Sequence, residues 1–216
     1  MLDPIIEPRF IAIEGSIGAG KTSLAKLLGK QFDAKVFLEK DEENPFIEKF
    51  YQDQESHAFH TQIFFLLSRY NQYLDLAQRD LFNSVFIIDY LFQRNRIFSN
   101  LTLKGHEIQL YDQIYNLLTQ KIPKPDLVIF LQANTSVLLD RVEKRDRDYE
   151  SFIDPEYLDE VNKAFNNFFF YYSETPLLVI NTNEIDFVEK KYDLEELIKK
   201  INTHKIGREY YNPLGS

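Results

Sequence analysis

Gly15-Ser16-Ile17-Gly18-Ala19-Gly20-Lys21-Thr22 stands between an apolar run, Phe10-Ile11-Ala12-Ile13, and a helical pattern over residues 22–32. The spacing is that of a phosphate-binding loop, G-x-x-x-x-G-K-T, in the strand–loop–helix context the motif requires. Its glycines let backbone N–H groups turn toward one anion, Lys21 adds a compact positive charge, and Thr22 offers a hydroxyl to Mg2+. The helix that follows directs its positive end at the same place. A bare glycine turn with an exposed lysine is the alternative, and the strand and helix on either side argue against it. The loop specifies a nucleotide and leaves its reaction partner open.

Working outward, four more β-rich apolar runs appear: Val36-Phe37-Leu38, Val85-Phe86-Ile87-Ile88, Leu127-Val128-Ile129-Phe130-Leu131 and Leu177-Leu178-Val179-Ile180. None alternates with polar residues, which suits strands covered on both faces. Between them lie helical patterns over 56–81 (Phe64, Leu67, Tyr70, Leu74, Ala77), 106–120, 136–145, 155–172 and 194–201. Asp154 before Pro155 reads as a cap and first turn. The pattern predicts an α/β fold of the P-loop NTPase type, a doubly wound parallel sheet flanked by helices. With no repeat or linker, residues 1–216 read as one domain. The stretch Phe165 to Tyr172 reads as core.

The chain has 216 residues, 44% of them hydrophobic, with 19 Phe and 13 Tyr, enough for a substantial core. A formal charge of −9 argues against nucleic acid or a membrane surface as partner. There is no cysteine, so disulfides, thiolate metal sites and thiol nucleophiles are excluded, and the four histidines lack zinc-ligand spacing. Residues 1–8 lack the features of a secretory signal, and no apolar run reaches membrane-span length, so a cytoplasmic protein is expected.

In such sheets ligands bind beyond the carboxyl ends of the strands. Glu39 stands at the end of the second strand, either as a base for an attacking hydroxyl or as one more solvated acid of the run to Glu43. Asp89 ends the third, placed to hold Mg2+ or to cap the segment that starts near Phe92. Arg141, Arg145 and Arg147 follow the fourth, either as a lid over phosphates at about residues 141–151 or as a mixed-charge surface helix. Gln62 and Arg69 are seven apart on the long helix and share a face.

These residues together resemble the deoxynucleoside kinase family over about residues 10–201. The likeness is carried by residues 14–22, Leu38-Glu39, Asn44-Pro45-Phe46, Gln62 with Leu67-Ser68-Arg69, Pro123-Lys124-Pro125-Asp126-Leu127-Val128, and Arg145-x-Arg147-x-x-Glu150. Asp89-Tyr90-Leu91-Phe92 is similar to bacterial members of the deoxyadenosine/deoxyguanosine type. The resemblance implies a five-stranded sheet, a homodimer, and ATP- and Mg2+-dependent phosphorylation of a deoxynucleoside 5′-hydroxyl. Glu39 is then the base, Tyr51 and Glu150 meet the 3′-hydroxyl, and Gln62 pairs with the nucleobase. Arg69 serves the pocket near the 5′ end, and Arg141, Arg145 and Arg147 form the lid around the phosphates. Two positions depart from the family pattern. Tyr90 replaces an arginine that organises the phosphates, leaving Arg69, Arg94 and Arg96 as cations that can stand in. Asn95 replaces an aspartate that reads the base, and because an amide both donates and accepts, the family's purine preference, deoxyadenosine or deoxyguanosine, is favoured but does not carry over with this residue. The rival readings are a nucleoside-monophosphate kinase and a nucleotide-binding protein with weak catalysis.

Overall fold

In a computed structural model, which describes residues 10–78, 85–204 and 206–213, the phosphate loop sits at the end of a buried central strand. Strand β1 (Phe10–Gly15) is buried at every position, as its unbroken apolar pattern requires. It lies between β3 (Phe86–Ile88) and β4 (Leu127–Gln132), with β2 (Lys35–Phe37) outside β3 and β5 (Leu177–Asn181) outside β4. All neighbouring strands pair in parallel. The sheet has six strands rather than five: Arg208–Tyr211 adds β6 to β5. Its residues alternate between exposed and half-buried, so it lacks the apolar run that marks the other strands.

The helices are α1 (Lys21–Gln31), α2 (Ile47–Gln52), α3 (Gln54–Ala77), α4 (Arg94–Thr102), α5 (Gly105–Thr119), α6 (Thr135–Arg145), α7 (Pro155–Tyr171) and α8 (Lys191–Thr203). Two of them, α2 and α4, are short and were not marked by periodicity. Asp53 breaks the chain between α2 and α3, and its carboxylate accepts the Ser56 N–H at 3.2 Å as the cap of α3. Asp154 caps α7 as expected, accepting the Glu156 N–H at 2.8 Å. Residues 1–8, read above for a leader, and the end of the 56–81 pattern lie outside the described residues.

The aromatic run of α7 divides by helical spacing. Phe165, Phe169 and Tyr172 are buried, whereas Phe170 and Tyr171 face outward. Phe169 stacks on Phe130 of β4 with centroids 4.2 Å apart, tying α7 to the sheet. The connections leaving β1 and β3 run to opposite edges of the sheet, which opens a crevice beyond their carboxyl ends.

Gly29 marks how closely α1 is pressed onto the sheet: a Cβ there would lie 2.3 Å from Val36 Cγ2. A helical Gly→Ala change ordinarily stabilises by up to about 1 kcal/mol. Here overpacking reverses the sign, and Gly29→Ala is expected to lower stability by about 1–3 kcal/mol. Urea denaturation of Gly29→Ala, alone and with Val36→Ala to make room, checks this: the second change should recover part of the loss.

Candidate active site

The loop from Gly15 to Thr22 is shaped by backbone geometry that side chains do not tolerate. Gly18 and Gly20 have φ of 81° and 91°, and a Cβ on Gly18 would lie 2.6 Å from the Leu138 carbonyl oxygen. Helix α1 has no side-chain cap and no acid in its first turn. Its leading N–H groups are therefore left for an external anion. Lys21 curls back, donating from Nζ to the Ser16 carbonyl at 2.9 Å. Burial, then the neighbouring Arg94, draws its ammonium down to about 8.

Beside the loop, the ends of β2 and β3 bring three groups together. Asp89 accepts the Thr22 hydroxyl at 2.6 Å on Oδ2 and the Glu39 backbone N–H at 2.6 Å on Oδ1. Burial, then the charge of Glu39, pushes its carboxyl up. Glu39 accepts from Arg69 Nε at 2.6 Å and pairs also with Arg69 Nη2 and with Arg94, whose Nε lies 3.5 Å from Oε2. Burial alone would push the Glu39 carboxyl up, but Arg69, then Arg94 and Lys21, outweigh it and hold it at about 2. The carboxylate is thus ionised throughout the neutral range and buried, not part of a solvated acidic run.

Arg94 is the cation that stands nearest this centre without a motif to announce it. It donates from Nη1 to Glu14 at 2.9 Å and to the Gly15 carbonyl at 3.2 Å. Its guanidinium lies 5.0 Å and 5.2 Å from the ring centroids of Phe98 and Phe165. Arg96 instead faces Asp112, 3.6 Å away, on a half-exposed surface. Tyr90 is buried, its hydroxyl donating to Gln72 at 3.0 Å and its ring 5.7 Å from the Arg69 guanidinium. The choice among Arg69, Arg94 and Arg96 needed three-dimensional contacts: α4 turns Arg94 inward and Arg96 outward.

These groups line one cleft of about 690 Å³, counting its open mouth, with Ile17, Gly18, Tyr51, Gln62, Arg145 and Glu150 also on its walls. Gln62 Oε1, Thr61 Oγ1 and Tyr157 Oη are buried there without hydrogen-bond partners. Buried polar atoms of this kind call for a ligand or water. Over the cleft, Arg145 pairs with Glu150 through two nitrogens, with Nε at 2.9 Å. Tyr149 lies parallel to Tyr51, with centroids 6.3 Å apart. Arg147 donates to the Tyr149 hydroxyl at 2.7 Å and pairs with Asp41 at 3.4 Å. Asp41, Tyr149, Thr61 and Tyr157 carry no pattern in the sequence and were not anticipated.

Of the phosphate loop, Ile17, Gly18, Lys21 and Thr22 reach the cleft walls, and outside the loop three expected residues stand back from them. Arg141 is bound to the segment after β5, donating to the Thr182 carbonyl at 2.7 Å and hydroxyl at 3.2 Å. Arg147 lies at the rim among Asp41, Glu42 and Glu150. Asn95 is fully buried behind Arg69.

A parallel sheet carrying a phosphate loop, with an ionised acid and a hydroxyl–carboxylate pair across from it, defines a P-loop phosphotransferase. The family model described as "Deoxynucleoside kinase" matches residues 11–205, and the chain belongs to that family. It is 37% identical over 193 residues to the deoxyguanosine kinase of Bacillus subtilis, covering 87% of this chain and 93% of that one. It is 27% identical to the deoxyadenosine/deoxycytidine kinase of the same organism, covering 88% and 90%. Among solved structures, a deoxyadenosine kinase from M. mycoides with dCMP and dCDP superposes with a TM-score of 0.77 at 29% identity, covering 89% of this chain and 98% of that one. The same enzyme with dATP bound gives 0.77 at 27% identity.

The lowered ammonium of Lys21 makes nucleotide binding pH-dependent. Lys21 carries its charge below about pH 8 and loses it above, while a bound phosphate favours the charged form. The affinity for ATP should therefore be flat up to about pH 8 and weaken about tenfold by about pH 9, measured by titration calorimetry. Lys21→Met should bind more weakly and show no such limb.

Proposed function

We propose that the chain transfers the terminal phosphoryl group of ATP to the 5′-hydroxyl of a deoxynucleoside, giving the 5′-monophosphate and ADP. Glu39 carries this reading: an ionised, buried acceptor at the end of β2, oriented by Arg69 and linked through its backbone to Asp89. It takes the hydroxyl proton as the new O–P bond forms and the bond to ADP breaks. A carboxylate held at about 2 is a weak base, which suits a loose transfer in which the proton departs late. Lys21 and the loop amides hold the donor phosphates, and Arg145 and Arg147 supply charge to the group in flight. Tyr51 and Glu150 meet the sugar 3′-hydroxyl and Gln62 the base. Thr22 and Asp89 present a hydroxyl and a carboxylate oxygen 2.6 Å apart, a donor set that fits Mg2+, which would neutralise the donor phosphates.

One observation separates this from a monophosphate kinase. Four carboxylates, Glu39, Asp41, Asp89 and Glu150, line the cleft, and its three arginines, Arg69, Arg94 and Arg145, are already paired. A neutral nucleoside enters such a wall more readily than a second phosphate does. The alternative of a weakly catalytic binding protein rested on Tyr90, and Arg94 restores a buried cation between the loop and Glu39.

We also assign a homodimer to the outer face of α3 and α5, where Leu67, Leu110 and Leu117 are 45%, 48% and 70% exposed on packed neighbouring helices. Among the described residues, no helix is long and apolar enough to cross a membrane. A second copy supplies the same apolar stripe, as a two-fold interface needs.

A rate panel of deoxynucleosides against their monophosphates with ATP should show turnover of the nucleosides alone. Glu39→Gln is expected to lower kcat by about 10²–10³ while ATP affinity stays within several-fold. Light scattering after gel filtration should give a dimer for the unaltered chain and a monomer for Leu110→Lys/Leu117→Lys.

A further inference from the structure

A second cavity opens beside the segment that follows β3. Leu91, Phe92 and Gln93 line it, whereas Asp89 and Arg94 on either side line the cleft, and the two cavities share no wall residue. It encloses about 760 Å³, counting its open mouth, a size typical of small-molecule sites.

Its buried walls are aromatic. Tyr73, Phe92, Tyr115 and Tyr172 reach it from α3, the β3–α4 connection, α5 and the end of α7, and each is 5% exposed or less. Phe92 and Tyr115 stack with centroids 5.6 Å apart, and Tyr73 meets Phe92 edge-on at 5.5 Å. A flat ligand ring is taken up by the same offset and edge contacts.

The polar walls are the more exposed ones, and they set two cations against one acid. Arg96 stands over the Tyr115 ring, 5.3 Å from its centroid, and its Nε lies 3.6 Å from Asp112, too long for a hydrogen bond. Lys124 stands between Pro123 and Pro125, whose rings restrict the backbone on both sides of it. Among the described residues, Glu174 is the one acid on these walls; it accepts from Gln93 Nε2 at 3.4 Å and pairs with Lys124 at 3.2 Å. Lys124 and Glu174 are both exposed, so their pairing is weak. Each cation is thus held loosely, and an ionised ligand oxygen offers it a stronger bond. A cationic ligand meets the reverse: a single acid, already engaged, beside two like charges.

We infer that this cavity is a second ligand site, for an aromatic anion whose ring packs among the four buried rings and whose carboxylate, sulfonate or phosphate meets Arg96 and Lys124. The Pro123-Lys124-Pro125 stretch, which has no place on the cleft walls, takes its role here. The inference is independent of the proposed kinase activity, because it concerns residues to which that reaction gives no part.

The test is a pair of fluorescent probes that differ by one sulfonate, anilinonaphthalene sulfonate and neutral phenylnaphthylamine, titrated into the full chain with ATP–Mg2+ in excess to occupy the cleft. Both probes should bind. Arg96→Gln and Lys124→Gln should each weaken the sulfonate about threefold to tenfold and leave the neutral probe within about twofold. Glu174→Gln should act in the opposite direction, tightening the sulfonate about threefold, a change that damaged packing does not produce. Thr119→Trp, which fills the cavity from the end of α5, should abolish both signals. Sulfonate binding that is unmoved by both cation changes, or that survives Thr119→Trp in a folded chain, overturns the inference. Equal loss of the two probes in the cation variants overturns it as well. If Thr119→Trp does not fold, the three charge variants decide alone.

Discussion

Glu39 shares its carboxylate between two buried arginines, and the position of every other group in the cleft follows from how that charge is satisfied. Arg69 reaches it from α3 and Arg94 from α4, while Asp89 holds its backbone N–H from β3. Buried ion pairs are weak stabilisers, because desolvating both charges offsets most of their attraction. Removing one partner is another matter, since an uncompensated buried charge costs about 3–5 kcal/mol. The network therefore contributes more to geometry than to stability: it makes any other placement of Glu39 expensive. Glu14 extends the same constraint to the loop, accepting from Arg94, from the Leu91 N–H at 2.9 Å and from the Gly15 N–H at 2.8 Å. The phosphate loop and Glu39 are thus held to a common cation, Arg94.

The parts of this that were legible in the sequence are those in which one local cause suffices. The phosphate loop announces itself because its glycines and lysine act within eight residues. Five strands announce themselves because each carries an unbroken apolar run, buried in four of them and half-buried in the edge strand β2, and Glu39 and Asp89 follow from counting to the end of a run. Strand β6 escapes because an edge strand has no such run, and α2 and α4 escape because so few turns leave little periodicity. Arg94 needed the fold itself: its partners Glu14 and Glu39 lie far back in the chain, and nothing near it in sequence calls for a buried cation.

Tyr90 illustrates the same boundary from the other side. Read along the chain it looks like a missing positive charge beside Asp89. In three dimensions its ring lies under Arg69 and its hydroxyl reaches Gln72 on α3, so it buttresses the base-side wall. The charge enters four residues later, at the first residue of α4, and from above Phe98 and Phe165. A substitution that seems to delete a function can relocate it, provided the new side chain reaches the same pair of carboxylates.

The lid carries the logic of the buried network to the surface of the cleft. Arg145 and Arg147 rest on carboxylates, Glu150 and Asp41. In Asp41, burial, then the charge of Glu39, pushes the carboxyl up to about 6, so it holds Arg147 less firmly as its proton returns. Asp41 is also the more exposed of the two acids, and Arg147 shares the rim with Glu42. Phosphate brings more charge and more acceptor oxygens than either acid. On the proposed reaction the arginines would exchange one set of anionic partners for a stronger one, and closure over the donor would reorganise side chains rather than create charge in a dry site.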